Sequence, residues 1–356
     1  MKSIRVEAER TYEVIFAKAN RVSLEAALSG ATRIALIVPE ELKHFADALA
    51  SELTHDEKLE KVVVITVGEG ESQKNLATVS RCWNVLGEEN FRRNDLVIGI
   101  GGGATTDLAG FVAATWLRGI RWIAIPTSLA GMVDAAIGGK TGINSEAGKN
   151  LVGSFHSPSA VVIDTYYLKS LPIGELRAGL AEVIKTGFIA DQRILEIIEE
   201  RDDFLDVGSA SLKELIERSV AVKADVVSKD LKENFLREAL NYGHTLAHAI
   251  EKHENYRWRH GDAVSVGLAY IANLAYLHGA LSSQLVERHL RILEKAGLPI
   301  TYRRDAWPSL FGAMQSDKKA RAGGLRFVAI TDDYEVIRLE GLSPDMLQAA
   351  YERIST

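Results

Sequence analysis

Apolar and polar positions change rhythm about half-way along the chain of 356 residues. In the first half, short β-branched runs alternate with stretches of helical period. RIALIVP, KVVVITVG, DLVIGIGGG, WIAIPTS and AVVIDT are apolar runs bounded by turn residues, which predicts buried strands. Between them, EELKHFADALASEL and KNLATVSRCWNVLGEE repeat apolar positions every three or four residues, which predicts helices. Such alternation favours a largely parallel sheet with helices on its faces. After LKSLPIGELRAGL, helical periodicity dominates to the end, with one short strand expected at LRFVAIT. The reading is an α/β Rossmann-like domain over residues 1–170 and a mainly α-helical domain over 171–356. Neither an internal repeat nor a low-complexity tract is visible.

Composition narrows the class. Apolar content of 47% and charged content of 25% describe an ordinary soluble protein. A net charge of −6 argues against a general nucleic-acid surface. The single cysteine, Cys82, has no internal disulfide partner, as suits a reducing compartment. MKSIRVEAERTYEVIF lacks the apolar core and cleavage site of a signal peptide. Trp122–Gly139 has the length of a membrane span, but Pro126, Thr127, Ser128 and Asp134 interrupt it. A core strand followed by a buried loop fits it better. The expectation is a cytoplasmic protein without nucleic-acid or membrane partners.

DLVIGIGGGATTDLAGFVAATWLRG reads as strand, glycine run and helix, the helix opened by Thr105, Thr106 and Asp107. Glycines admit a phosphate close to the backbone, and a helix N-terminus presents N–H groups and positive partial charge. Gly99, Gly101 and Ala104 meet a relaxed G-x-G-x-x-A spacing. The loop nevertheless follows the third strand, and no acidic residue follows some twenty positions on to hold a ribose. A plain strand-to-helix turn would also explain it. GEGESQK, residues 68–74, is a second glycine-acid-lysine loop after a strand. Two such loops at strand ends favour a dinucleotide. AIGGKTGINSEAGKN sets Lys140 and Lys149 in glycine-rich turns after an almost charge-free segment.

The densest chemistry lies in LREALNYGHTLAHAIEKH. Arg237, Asn241, His244 and His248 recur at steps of four, three and four. On one α-helix they fall within about 60° of its circumference. Leu236, Leu240, Leu246, Ala247, Ala249 and Ile250 surround them, so the stripe reads as buried. A buried polar stripe is costly unless a ligand, metal or partner satisfies it. A solvated helix face or a hydrogen-bonded core histidine is the simpler alternative. For a metal, His244, Glu182 in GLAEVIKTGF and His260 in RHGDAVSVGLAY stand out, because a His₂Glu set leaves positions open for substrate. Glu182 shares a helix face with Lys185. Spacing alone does not select this set among nine histidines and many glutamates.

GGGATTDLAGF, RGIRWIAIPTSL, VDAAIGGKTGIN, GKNLVGSFHSP, ELRAGLAEVIKTG, LREALNYGHTLAHAIE and RHGDAVSVGL follow one another as the signature blocks of the 3-dehydroquinate synthase family do. The resemblance spans residues 68–330. It implies an active site in the cleft between the two domains, and conversion of 3-deoxy-D-arabino-heptulosonate 7-phosphate (DAHP) to 3-dehydroquinate and phosphate. The implied route is transient oxidation at C5 by NAD⁺, phosphate elimination, re-reduction, ring opening and an intramolecular aldol closure. NAD and Zn²⁺ (or Co²⁺) are the implied cofactors.

Carried over block by block, the resemblance makes Glu182, His244 and His260 the metal ligands. To NAD it gives Glu69, Gly70, Glu71, Lys74, Gly103, Ala104, Thr105, Thr106, Asp107, Thr127 and Ser128. Glu40, Lys140, Lys149 and the run Tyr167, Leu168, Lys169 and Ser170 join them. The substrate pocket would comprise Asp134, Lys140, Lys149, Asn150, Lys185, Lys223, Arg237, Asn241 and His248. His248 is the candidate proton relay at the C5 alcohol. Lys318 and Lys319 match a basic pair that includes a phosphate contact. Arg118 matches an arginine that reaches a neighbouring subunit, which implies a homodimer. On this resemblance Lys140 and Lys149 sit among glycines because a phosphate and a nucleotide approach the backbone there.

Two departures stand out. GGGATTD lacks the glycine commonly found before the aspartate, and Glu40 stands where the family commonly has Asp, with Leu42 in place of a polar partner. Three other readings stay open: another sugar phosphate cyclase of the 2-deoxy-scyllo-inosose or valiolone synthase type, a metal-dependent polyol dehydrogenase, and a binding protein without chemistry. Lys223, Arg237 and Asn241 favour a substrate that carries a carboxylate, and the density of Lys and Arg disfavours a neutral alcohol.

Overall fold

The computed structural model describes residues 2–230, 236–320 and 325–356, except for the side chains of 236 and 316–320. It divides into two units, Met1–Leu171 with Lys223–Leu231, and Pro172–Val222 with Lys232–Thr356.

The first unit is built on a seven-stranded sheet. A hairpin of β1 (Lys2–Glu7) and β2 (Thr11–Phe16) leads to α1 (Arg21–Leu28), β3 (Arg33–Pro39), α2 (Lys43–Leu53), β4 (Lys61–Val67) and α3 (Leu76–Glu88). β5 (Leu96–Gly101), α4 (Gly103–Thr115), β6 (Arg121–Pro126), the pair β7 (Lys140–Ser145) and β8 (Gly148–Phe155), and β9 (Ala160–Ile163) complete it. The strand order is β1-β2-β9-β6-β5-β3-β4, parallel throughout except for β1 against β2. The five apolar runs singled out in the sequence are β3, β4, β5, β6 and β9.

Their lack of alternation has a direct cause: β3, β5 and β9 bury nearly every residue, because both faces of the sheet are covered. Leu36, Ile98, Ile125 and Val162 meet in one core with Leu24, Leu49 and Leu53. Each such side chain contributes about 1.5–3 kcal/mol by leaving water. From β3 the chain steps outward to β4, then returns to the other side of β3 to form β5. That reversal opens the strand ends of β3 and β5, where open α/β sheets bind ligands. The segment Trp122–Gly139 is core strand β6 followed by a largely buried turn over Gly131–Ala135. No helix of the described residues is long and apolar enough to cross a membrane.

The hairpins were not legible. β8 has an exposed face over most of its length, and β1 is mostly exposed, with only Ile4 and Val6 apolar. Lys140 and Lys149 consequently lie on a two-stranded sheet, β7 with β8, rather than deep in glycine turns; Lys140 is exposed and Lys149 partly so.

The second unit holds α5 (Ile173–Ile189), α6 (Gln192–Glu200), most of α7 (Ala210–Lys229), α8 (His244–His253), α9 (His260–His278), α10 (Ser283–Lys295), α11 (Trp307–Ala320) and α12 (Pro344–Glu352). The expected strand at LRFVAIT is β10 (Arg326–Ile330), paired with β11 (Val336–Glu340). The last residues of α7 belong to the first unit, unlike the simple division of the chain near residue 170. There Ser228 Oγ accepts from the Glu7 backbone N–H at 2.9 Å, and Lys223 pairs with Asp134.

α9 is buried from Gly261 to Ala275 and packs against α5, α8, α10, α12 and β10. A helix apolar on all sides needs such enclosure. Two contacts bring its backbone against its neighbours. A methyl on Gly261 would stand 1.8 Å from the Ala178 carbonyl oxygen of α5, and one on Gly267 would stand 2.0 Å from the Gly243 carbonyl oxygen. Gly243, at φ +79°, occupies the left-handed region that opens α8.

Because backbone lies on both sides of the Gly261 contact, Gly261→Ala should lower unfolding free energy by at least about 3 kcal/mol. Gly312→Ala in α11, where a methyl meets nothing within 4 Å, should instead be neutral or stabilise by up to about 1 kcal/mol. Chemical denaturation of both variants checks this, and equal effects would refute the close-contact reading of α9.

Candidate active site

Three elements of the second unit converge on one carboxylate. Glu182 lies in the middle of α5, 2% exposed, among Gly179, Ala181, Val183 and Ile184. His244 and His260 are the first residues of α8 and α9. The Nε2 atoms of His260 and His244 lie 3.1 and 3.3 Å from Glu182 Oε1. One ligand atom from each residue falls within 4.8 Å of the others. The structure thus brings together the three residues that sequence spacing alone did not select. Lys185, one turn along α5 and equally buried, forms an ion pair with Glu182 Oε2, an oxygen that accepts no directed hydrogen bond.

The second ring nitrogens are also engaged. His244 Nδ1 lies 3.1 Å from the Tyr242 carbonyl oxygen, and His260 Nδ1 lies 3.2 Å from Glu251 Oε2. Burial would push the Glu182 carboxyl up, but Lys185 and then the two imidazoles outweigh it and hold it well below the usual carboxylate range. Burial opposes charge on His260, yet hydrogen bonds to Glu182 and Glu251 raise its pKa to about 10. Two imidazole nitrogens and a carboxylate, with Nε2 of both rings turned inward, suit a divalent ion such as Zn²⁺.

The polar stripe is not one continuous α-helix. Leu236–Asn241 forms a 3₁₀ helix, Gly243 turns the chain in a left-handed conformation, and α8 begins only at His244. Arg237 and Asn241 therefore belong to a different element from His244 and His248. Arg237 is 2% exposed, whereas Asn241 is half-buried and His248 is exposed, its ring 5.4 Å from that of His244. Glu238 fastens the 3₁₀ turn to the β10–β11 hairpin through Arg326, at 3.5 Å, and Arg338.

The first unit assembles a second cluster at the strand ends. α4 starts after Gly102, which supplies no side-chain cap. A helix N-terminus of this kind fits a phosphate. Gly99 and Gly101 lie under the helix, where a methyl would stand 2.7 Å from Ala109 Cβ and 2.6 Å from Thr105 Cβ. At those two positions the plain strand-to-helix turn explains the glycines. Lys74, 2% exposed, donates to Asp107 Oδ2 at 2.7 Å and Asn150 Oδ1 at 2.5 Å. Burial raises the Asp107 carboxyl to about 6, against the pull of Lys74.

Glu71 lies 3.3 Å from Lys74 and 4.0 Å from Lys149, and Gln73 donates to Thr105 Oγ1 at 3.0 Å. Thr106 Oγ1 donates back to the Gly103 carbonyl within its own helix turn, beside Ala104. Glu69 and Gly70 are exposed at the loop tip, and Glu40 is exposed directly after β3. Thr127 donates its backbone N–H to the Gly101 carbonyl, and Ser128 Oγ accepts from the Gly131 N–H. Asp134 forms an ion pair with Lys223.

Tyr167 and Leu168 are buried in a 3₁₀ turn, while Lys169 and Ser170 are exposed. Arg118 is exposed at φ +68°, beside Leu117 at φ +50°. The side chains of Lys318 and Lys319 lie outside the described residues.

Three participants carried no signal strong enough to single them out. Glu251 looks like a solvent-facing glutamate. Asn144 links the loops by donating to Glu71 Oε1 at 2.9 Å and accepting from the Asn150 N–H at 2.9 Å. His289, fully buried and stacked on Phe188 at 3.5 Å, has Nε2 2.8 Å from Tyr242 Oη, and so steadies the residue whose carbonyl meets His244.

The family models for the 3-dehydroquinate synthase N-terminal and C-terminal parts match residues 64–178 and 179–320. The chain belongs to the 3-dehydroquinate synthase family. It is 52% identical over 323 residues to the 3-dehydroquinate synthase of Streptomyces avermitilis, covering 90% of this chain and 88% of that one. It is 50% identical to that of Corynebacterium diphtheriae, covering 100% and 99%. Among solved structures, a 2-epi-5-epi-valiolone synthase from Streptomyces hygroscopicus with NAD⁺ and Zn²⁺ bound has a TM-score of 0.87 at 24% identity, covering 99% of this chain and 98% of that one. A 2-deoxy-scyllo-inosose synthase complexed with carbaglucose-6-phosphate, NAD⁺ and Co²⁺ scores 0.84 at 24% identity, covering 99% and 100%. At that identity the likeness is one of fold.

Burial lowers the pKa of His289 to about 3, so the unfolded chain, titrating near 6.5, binds a proton that the folded one does not. Stability from this group is complete above about pH 6.5 and is lost as pH falls towards 3, by up to about 1.4 kcal/mol per unit. His289→Gln should flatten that part of the stability–pH curve in the metal-free protein. Parallel curves for the two proteins would rule it out.

Proposed function

We infer that the chain catalyses the conversion of DAHP to 3-dehydroquinate and phosphate, a phosphate-eliminating lyase reaction of aromatic amino acid biosynthesis, using NAD⁺ and a divalent metal in the cytoplasm. The observation that carries this reading is the converged Glu182–His244–His260 triad with its buried Lys185, in a chain half identical over its full length to 3-dehydroquinate synthases. When bound, the cofactors supply a temporary hydride acceptor and a Lewis acid.

The chain's own residues do the placing. Glu182, His244 and His260 would hold the ion, and the α4 N-terminus with Lys74, Asp107, Thr127 and Ser128 would hold the dinucleotide. Lys140, Lys185, Lys223, Arg237 and Asn241 would meet a substrate that carries both a carboxylate and a phosphate. Fixed cations act most strongly where water is excluded. Arg237 offers a planar fork suited to the carboxylate. His248, whose ring lies beside that of His244, would move a proton at the substrate hydroxyl. Holding one flexible molecule through several steps is most of the task.

A homodimer belongs to the same reading. Two adjacent non-glycine residues at positive φ, Leu117 and Arg118, store about 1–3 kcal/mol each. β8 exposes Leu151, Val152 and Phe155, which a second copy would cover.

With DAHP, Zn²⁺ and catalytic NAD⁺, the purified protein should release phosphate in step with dehydroquinate, accumulate no NADH, and stop on addition of a chelator. Turnover of a sugar phosphate without a carboxylate, and none of DAHP, would refute the assignment. Arg237→Met should fold, keep its zinc and lose on the order of a hundredfold in kcat/KM, as removal of one partner of a buried charge pair costs roughly 2–5 kcal/mol. An unstable but kinetically normal variant would make Arg237 structural.

A further inference from the structure

α8 does more than supply His244. Seven residues further on, two helical turns along the same side, stands Glu251, 4% exposed in a helix of Ala247, Ala249 and Ile250. Its Oε2 lies 3.2 Å from Nδ1 of His260, on the opposite edge of the ring from the Nε2 that faces Glu182 at 3.1 Å. The two histidines are therefore held differently. His244 leans on a neutral peptide carbonyl, and His260 on a buried carboxylate.

We infer that Glu251 is a positioning residue for the metal centre: it holds the His260 proton on Nδ1, turns Nε2 towards the ion, and adds the negative charge that the site otherwise lacks. This rests on the reading of Glu182, His244 and His260 as metal ligands. A carboxylate behind a ligating imidazole fixes its tautomer and raises its basicity.

Charge gives a second reason. His244 and His260 are the first residues of their helices, where the aligned peptide dipoles present positive partial charge and disfavour a cation. Lys185 adds a full positive charge against Glu182. One ligand carboxylate against that ammonium leaves the donor set without net negative charge, and Glu251 restores it.

The test measures zinc affinity of the full-length protein by competition with a chromophoric chelator, on wild type, Glu251→Gln and His260→Ala. Glu251→Gln keeps size and an acceptor oxygen but removes the charge. Its zinc Kd should rise about ten- to a hundredfold. His260→Ala should lose stoichiometric zinc altogether. A Glu251→Gln Kd within threefold of wild type, with His260→Ala still losing zinc, overturns the role of Glu251 alone. Tight zinc binding by His260→Ala overturns the ligand reading and this inference with it. Should the Gln variant fail to fold, long-range ¹H–¹⁵N spectra of zinc-loaded wild type decide. Expected is His260 protonated at Nδ1 and metallated at Nε2; the reverse arrangement overturns the inference.

Discussion

Glu182, His244 and His260 meet because α9 touches its neighbours backbone to backbone. Glu182, His244 and His260 come from three helices, and ordinary helix pairs stand 8–10 Å apart with side chains between them. At Gly261 and Gly267 no side chain intervenes, so the start of α9 lies against Ala178 of α5 and the turn before α8 lies against Gly267. Ala178 is one turn before Glu182, Gly261 is next to His260, and Gly243 is next to His244. Each contact is thus within four residues of a ligand. The spacing of the triad follows from where the chain has no β-carbon, and the apolar enclosure of α9 keeps those contacts shut.

The same closeness explains the electrostatics. Drawn this close together, one carboxylate, two imidazoles and an ammonium cannot be independent. Cationic groups facing Glu182 hold its carboxyl below the usual range despite its burial, and the two carboxylates that flank His260 raise its pKa. A buried ion pair of this kind contributes little to stability. What it gives is a set of groups already aimed at one another before any ligand arrives.

How much of this was legible in the sequence depended on what each segment buries. β3 and β5 were plain, because a strand covered on both faces is apolar at every position. The β1–β2 and β7–β8 pairs were not, since they keep exposed faces and so lose the apolar runs that mark a strand. Glu182 stood out as a charge within a helix of small apolar residues. The stripe from Arg237 to His248 was read at a single α-helical period, which Gly243 breaks. Its left-handed turn answers to Gly267, a residue more than twenty positions away, so nothing local announces it. Glu251, Asn144 and His289 act on other protein groups, and a residue whose partner is distant in sequence shows only its type. The return of Lys223–Leu231 to the first unit is of the same kind, for it depends on Asp134 and Glu7.

One pattern recurs through both units. Lys74 is bound to Asp107, Lys223 to Asp134, and Lys185 to Glu182. A buried cation left without a partner costs several kcal/mol, so a pocket rich in lysine must either stay wet or carry its own acids. Here the acids are built in, and each lysine is held at a set place by a carboxylate of the same unit. A neutral sugar would gain little from such lysines, because it offers nothing to compete with the carboxylates that hold them. A phosphate or a carboxylate can share such an ammonium group, which has three donors. The protein's own acids then set the threshold of negative charge that a ligand must bring. On the proposed reading, that threshold, rather than the number of lysines, would favour a polyanionic substrate over a simple alcohol.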